Sequence, residues 1–425
     1  MVLSQLPANT ATYAITLVAM FGVLVRPWDL AEALWASLGA VLLVLFGLLS
    51  WNDAITAIGK GNDVYLFLVG MMLLSELARG EGLFDYLAAR CVREARGSAN
   101  RLFLLVYGVG TLVTIFMSND ATAVVLTPAV LAVSRRAKVA PLPYLLICAF
   151  VANAASFVLP ISNPANLVIF SERLPSLGEW VRRFSLPSVL AIFATYWILK
   201  MFFRQNLKST VAQDTEVFPL STSGKLAAIG VVLTVGVLLV ASALGTPLGL
   251  PTILTAGTVC AAILIYRRES PLYIVKHISW SVLALVAGLF VMVEGLQQSG
   301  ALNVLTTCLQ YAETTSTSGA AVVAGTAIAF ASNLINNLPG GLIARTVVAG
   351  ADVKPIIQSA IAIGVDLGPN LSITGSLATI LWLVAIRREG ENVSGWQFIK
   401  VGAIAMPVAL LLALLGLLLQ EATSF

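Results

Sequence analysis

Residues 116–128 read FMSNDATAVVLTP, and residues 332–344 read SNLINNLPGGLIA. Each holds a polar tip, Ser118 to Thr122 in the first and Asn336 to Pro339 in the second, between apolar arms. Arms of about 13 to 17 residues are short for a crossing of ~30 Å of hydrocarbon. Segments 101–134 and 319–345 are therefore expected to be re-entrant hairpins that return the chain to the face it left.

A second irregularity follows each tip. LPISNPANLVIF at 159–170 and VDLGPNLSITGSLATILWL at 365–383 place Pro, Gly, Asn and Ser inside segments long enough to cross, 143–170 and 355–386. One broken span is predicted in each. Eight uninterrupted apolar runs, near 11–25, 30–49, 64–78, 186–203, 226–244, 249–266, 281–296 and 401–419, complete ten crossings.

The two halves repeat. Gly70, Glu76 and Gly82 recur as Gly288, Glu294 and Gly300, Asn119-Asp120 as Asn336-Asn337, and Trp180 as Trp396, at a nearly constant offset. Each half reads as two spans, a third carrying one glutamate, a polar segment, a hairpin, a broken span and a final span. Five crossings per half is an odd number, so the second copy must sit upside down relative to the first, an arrangement typical of secondary transporters. The expected fold is an all-α polytopic membrane protein of two inverted five-span repeats, 1–205 and 225–425, joined by a cytoplasmic linker at 206–224.

Composition closes off other classes. With 58% apolar and 11% charged residues and a mean hydropathy of +0.92, the chain cannot dress a soluble surface, and nucleic acid is excluded as a partner. The net charge of +4 reflects topology. Starting the chain outside puts 19 of the 25 Lys and Arg residues inside and leaves Lys60, Arg173, Arg182, Arg183, Arg345 and Lys354 outside. That predicts a multi-pass protein of a bacterial inner membrane with both termini outside the cytoplasm. No basic residue precedes Arg26, so no cleaved signal peptide is expected. The four cysteines have no CxxC spacing and His277 is the single histidine, so no fixed metal, no cofactor and no histidine-based catalytic dyad is expected.

The candidate site follows from the breaks. An unpaired backbone group in hydrocarbon costs several kcal/mol, so unwound chain survives only where protein, substrate, ion or water satisfies it. Asp120 at the first tip and Asp366 before the second break would each cost at least ~2.5 kcal/mol to bury ionised. Both are expected to couple transport to protons or ions, against the plainer role of helix caps. Glu76 and Glu294 are matched candidates for the same role, or interfacial acids. Asn119, Asn153, Asn163, Asn166, Asn336 and Asn337 can both donate and accept hydrogen bonds to a bound solute. Otherwise they are interhelical glue worth ~0.6 to 2 kcal/mol. Ser162, Thr374 and Ser376 add hydroxyls or caps at the breaks.

The strings FMSNDATAVVLTP, LPISNPANLVIF, SNLINNLPGGLIA and VDLGPNLSITGSLATILWL resemble those of the arsenite efflux permeases, the ArsB family of the ion transporter superfamily, and the similarity covers about 50–420. The ND and NN tips are shared with other branches; the DLGPN and TGSLAT elements of 365–383 are the more specific signal. The resemblance implies that the substrate is arsenite, with antimonite, exported in exchange for protons, optionally with the ATPase subunit ArsA docked on the cytoplasmic face. A sodium/proton antiporter of the same superfamily is the alternative. An intramembrane aspartyl enzyme is a remote third, and no enzymatic activity is expected.

Overall fold

The computed structural model describes residues 2–212 and 219–423, and every regular element among them is helical. Ten helical elements per half recur in the same order. The first half runs α1 Val2–Val25, α2 Glu32–Leu45, α3 Trp51–Gly59, α4 Asn62–Gly80, α5 Leu83–Ala95, α6 Ala99–Met117, α7 Thr127–Arg136, α8 Leu142–Ala154, α9 Pro164–Ile169 and α10 Leu177–Phe202. The second runs α11 Thr222–Ala243, α12 Gly249–Arg267, α13 Leu272–His277, α14 Trp280–Gln298, α15 Asn303–Thr315, α16 Thr317–Ile335, α17 Asn337–Ala351, α18 Pro355–Leu367, α19 Leu377–Arg388 and α20 Gly395–Ala422. Seven of these helices are long and apolar enough to cross a membrane. α3 and α4 together form an eighth candidate, bent by 49°.

The matched glycines earn their positions. Gly82 and Gly300 both sit at positive φ, 72° and 77°, in the turns that lead into α5 and α15. A Cβ on Gly70 would meet the backbone of Thr252 in α12 at 2.8 Å, and one on Gly288 would meet Ala36 in α2 at 2.7 Å. α4 therefore packs on α12 while α14 packs on α2, each half lending the other the same contact. Trp180 and Trp396 do not share an environment. Trp180 is fully buried and its indole N–H donates to the Phe157 carbonyl at 3.1 Å, whereas Trp396 is 65% exposed. The corresponding tether in the second half is Trp382, bonded to the Leu145 carbonyl at 3.0 Å.

The first arm of each hairpin is longer than the apolar runs suggested. α6 and α16 have 19 residues each, or about 28 Å of helix. The sequence reading missed their first turns, which are polar or small but fixed by Ser98 and Ser316 as N-caps. Likewise the first break spans 155–163 rather than 160–166, because Pro164 sits at the first position of α9, where its missing N–H costs nothing.

Hydrogen bonds fix which ends lie together. The N–H of Val211 donates to Gly97 and that of Ala212 to Ala137, both at 3.0 Å. The start of α6 and the end of α7 thus meet, and Tyr144 at the start of α8 joins them through the Ala99 carbonyl. At the second hairpin, Lys354 just before α18 donates its N–H to Glu313 at 2.9 Å and its Nζ to Thr317 at the start of α16. Gln358 of α18 reaches the carbonyl of Ile169 at the end of α9 at 3.1 Å, and Arg135 of α7 reaches that of Glu389 just past α19 at 2.7 Å. Each broken pair, α8–α9 and α18–α19, begins beside its own hairpin's open end and finishes beside the other's.

Close helix crossing makes one substitution diagnostic. A Cβ on Gly364 of α18 would lie 2.1 Å from the carbonyl oxygen of Gly325 in α16, while one on Gly257 would meet nothing within 4 Å. Gly364→Ala is expected to lower stability by about 1 to 3 kcal/mol through overpacking and Gly257→Ala to leave it near wild type, as read by thermal unfolding in detergent. Equal melting of the two variants would disprove this packing.

Candidate functional site

Both hairpin tips turn on the same unusual backbone. Ser118 has φ 81° and ψ 159°, and Asn336 has φ 71° and ψ 152°. That region is populated almost exclusively by glycine and costs a side-chain-bearing residue about 1 to 3 kcal/mol. Neither is glycine. After Ser118 the chain passes Asn119 and Asp120 and makes one π-helical stretch, Ala121–Leu126, before α7. At the second tip Asn336 caps α17, its Oδ1 accepting from the Leu338 N–H, while its Nδ2 reaches the Thr374 carbonyl at 3.5 Å.

The breaks are joined across the halves by amides. Asn163 caps α9, with Oδ1 accepting from the Ala165 N–H at 3.0 Å, and its Nδ2 donates to Oδ1 of Asp366 at 2.6 Å. Asp366 is completely buried and its other carboxylate oxygen, Oδ2, has no partner. Asn153 donates from Nδ2 to Oδ1 of Asn370 at 3.0 Å, and Asn370 in turn donates to the Phe150 carbonyl at 3.1 Å. These two asparagines stand at the same offset as the two tips. Applying that offset to Asn153 would have found Asn370, which sequence reasoning left off the site.

Other hydroxyls and amides there hold unwound chain. Ser162 donates to the Ile115 carbonyl at 2.9 Å, fastening the first break to α6. Asn166 donates from Nδ2 to the Ser156 carbonyl at 2.8 Å. Ser376 caps α19 by accepting from the Thr379 N–H at 3.1 Å, and Thr374 donates to the Asn333 carbonyl at 3.3 Å. Asn333 is a second residue the sequence did not single out. Its Nδ2 donates to the carbonyls of Ala329 and Gly368, and its Oδ1 accepts from Ser372 at 2.7 Å, which ties α16 to the second break.

What remains unpaired is one-sided. Oδ1 of Asn119, Asn153, Asn166 and Asn337, and Oδ2 of Asp366, are buried without a hydrogen-bond partner. For Asn153 and Asn166 the assignment is forced, because Nδ2 is already spent on groups that only accept. Five buried acceptors on the tips and broken helices call for something rich in donors or positively charged. The acids divide accordingly. Asp120 lines a cavity of about 80 Å³ with Glu76, Ser118 and Pro164, whereas Asp366 is sealed in. Glu76 pairs with Arg79. Glu294 pairs with Lys60 at 2.6 Å in a separate cavity of about 330 Å³, shared with Glu172 and Arg345 and remote from the Asn336 tip in its lining. Three of the four cysteines are buried, Cys148 among them.

A model of the citrate transporter family matches residues 17–365. The chain belongs to the citrate transporter family. Among curated relatives, the arsenical pump membrane protein of Escherichia coli is 26% identical over 96% of this chain and 98% of its own length. The putative arsenical pump membrane protein of Bacillus subtilis strain 168 is 26% identical over 93% and 96%. These full-length matches agree with the arsenite-permease resemblance of the motifs. In fold, the YdaH transporter of Alcanivorax borkumensis superposes with a TM-score of 0.57 over 88% of both chains, at 17% identity. This member of the family is thus a multi-pass membrane transporter and not an enzyme.

Two substitutions separate strain from support. Ser118→Gly should raise stability by about 1 kcal/mol by relieving the positive φ while loosening the tip and slowing transport, read by unfolding and flux on one preparation. Asn163→Ala removes both the cap of α9 and the amide hydrogen bond to Asp366. A loss of about 2 to 4 kcal/mol is expected, with Asp366→Asn much milder because its Oδ1 still accepts. If Asn163→Ala unfolds at the wild-type temperature, the bridge between the breaks carries no weight.

Proposed function

We propose that this transporter exports arsenite, and antimonite, across a bacterial inner membrane in exchange for protons. The observation that carries the reading is the set of five buried acceptor oxygens on the two tips and breaks, taken with full-length relatives that are named arsenical pump membrane proteins. Neutral arsenite is a trihydroxide, and three O–H donors suit such a set. A tricarboxylate, as in the family's description, would need donors instead, and Asp366 would repel it.

In this reading the halves, 1–205 and 225–425, are inverted in the membrane around the linker, with both termini outside the cytoplasm. The clustering of Lys60, Glu172 and Arg345 around one cavity supports that sidedness, since charge counting puts both basic residues on the outer face. Asn119, Asn153, Asn166 and Asn337 surround the hydroxyls. Asn163, Asn336, Ser162, Thr374 and Ser376 hold the tips and breaks that present them. Asp120 and Asp366 exchange protons with substrate occupancy, and Glu76 and Glu294 line the approaches from the two faces. Export of a neutral solute draws nothing from the membrane potential, but one proton entering across 100 mV supplies ~2.3 kcal/mol. That sustains roughly a forty-fold gradient. No ATP is needed, although a basic face around α5 could seat an ATPase subunit.

The same acceptors would also suit a bare cation, which keeps the sodium/proton antiporter as a second reading. Purified protein in liposomes with a trapped pH indicator separates the two. Arsenite is expected to drive proton movement in wild type, with that coupling abolished in Asp120→Asn and Asp366→Asn. Proton movement driven by sodium and indifferent to arsenite would select the antiporter, and undiminished coupling in both acid variants would remove the acids from the mechanism.

A further inference from the structure

The cavity beside the first tip leads to a residue that nothing above has used. Besides Asp120, Ser118 and Glu76, it is lined by His277 and Ser279 from α13 and the turn after it, and by Met71, Met72 and Ser75 of α4. Glu76 is also part of the wall of a second, wider pocket of about 410 Å³, formed with Arg267, Glu269 and Tyr273. Glu76 borders both spaces, so a route from the wide pocket to the first hairpin tip would pass α4 at that residue. Arg267, which charge counting assigns to the cytoplasmic side, lines the wide pocket, and Arg79, assigned to the same side, reaches its Tyr273.

The groups along the route have distinct capacities. Glu76 accepts two hydrogen bonds from Arg79, one of them from Nε at 2.9 Å, so its charge is compensated. Arg79 also reaches the Tyr273 hydroxyl at 3.4 Å. His277 is committed differently. Its Nδ1 lies 2.7 Å from the Tyr273 carbonyl, which only accepts, so Nδ1 carries a proton and the Nε2 lone pair is left over. The titratable and charged groups around it are Tyr273 and Lys276 on its own helix, Glu76 and Arg79 from α4, and Asp120 from the hairpin. The packed faces of α14 and α19 add only Val282 and Leu381. Imidazole is the one side chain whose ordinary pKa, about 6.5, lets it take and give a proton near neutrality.

We infer that this cavity is the inner proton exit of the transporter, and that His277 relays the proton between Asp120 and the cytoplasm. The inference rests on the proton exchange proposed above. Asp120 releases its proton to water in the cavity, which at about 80 Å³ has room for more than one molecule. That water passes a proton to Nε2 of His277, and the imidazolium returns it from Nε2 to bulk water, leaving the neutral tautomer ready for the next. Nothing else is consumed. Glu76, held by Arg79, stabilises the transient imidazolium without taking the proton.

The relay makes predictions that a merely structural histidine would not. In proteoliposomes, His277→Ala should slow arsenite-driven proton flux by about ten-fold, less than a full acid–base contribution because conformational steps also limit turnover. Arsenite self-exchange, which needs no net proton release, should stay near wild type. Free imidazole on the basic face should restore the flux. Wild-type flux in His277→Ala, or a defect that imidazole leaves untouched, overturns the relay. If wild type moves no protons with arsenite, the proposed function fails instead, and the route is judged by access alone. Met72→Cys in a Cys308→Ser background should react with a cationic, membrane-impermeant thiol reagent from the basic face. Absence of reaction from that face would show that no such route exists.

Discussion

Backbone N–H and C=O groups inside an apolar slab must find partners, and nearly everything distinctive about this molecule follows from how the broken segments meet that demand. Regular helix satisfies itself. At the breaks, side chains take over: Asn166 for the carbonyl of Ser156, Trp180 for Phe157, Asn333 for Gly368 and Asn336 for Thr374. Such pairing uses up amide and indole donors. An asparagine amide offers two N–H donors and an oxygen with two lone pairs; at Asn153 and Asn166 the donors go to neighbouring carbonyl oxygens while the amide oxygen is left without a partner. The acceptor-rich character of the site is thus a by-product of stabilising unwound chain at depth.

The frame around this centre is rigid by comparison. Glycines at the α4–α12 and α2–α14 crossings let backbones touch, and α16 and α18 cross at Gly325 and Gly364 with no room for a methyl group. Close backbone contact of this kind is how apolar helices associate where lipid offers them an equally apolar surface. The tips are different: each holds a side-chain-bearing residue at a backbone angle suited to glycine. Strain concentrated at two symmetric points, braced by rigid crossings, is what a moving part requires, because small changes at the tip can be repaid by relief of the angle.

The two central acids illustrate how one residue type serves two purposes. Asp366 is fully buried and is held by the Asn163 amide from the other half, with Ser156 beside it, so its surroundings depend on how the two breaks meet. Asp120 borders a cavity large enough to admit water. Asp120 sits on the first hairpin itself, whereas Asp366 touches the first half through the break residues Asn163 and Ser156.

Much of this was written in the order of the residues. The helical class, the recurring order of elements and the places where helices break follow from apolar run length and from Pro, Gly and Asn, because hydrocarbon thickness and backbone pairing act locally along the chain. Both tips, and the asparagines beside them, were legible for the same reason. Arm lengths were not, since the polar first turns of α6 and α16 become helical through Ser98 and Ser316 rather than through apolar character. Nor were the partners. That Asn163 meets Asp366, that Asn370 answers Asn153, and that His277 shares a cavity with Asp120 depends on segments more than a hundred residues apart arriving at one place. Such meetings are set by helix packing across the two halves, a property of shape and contact that no local pattern encodes.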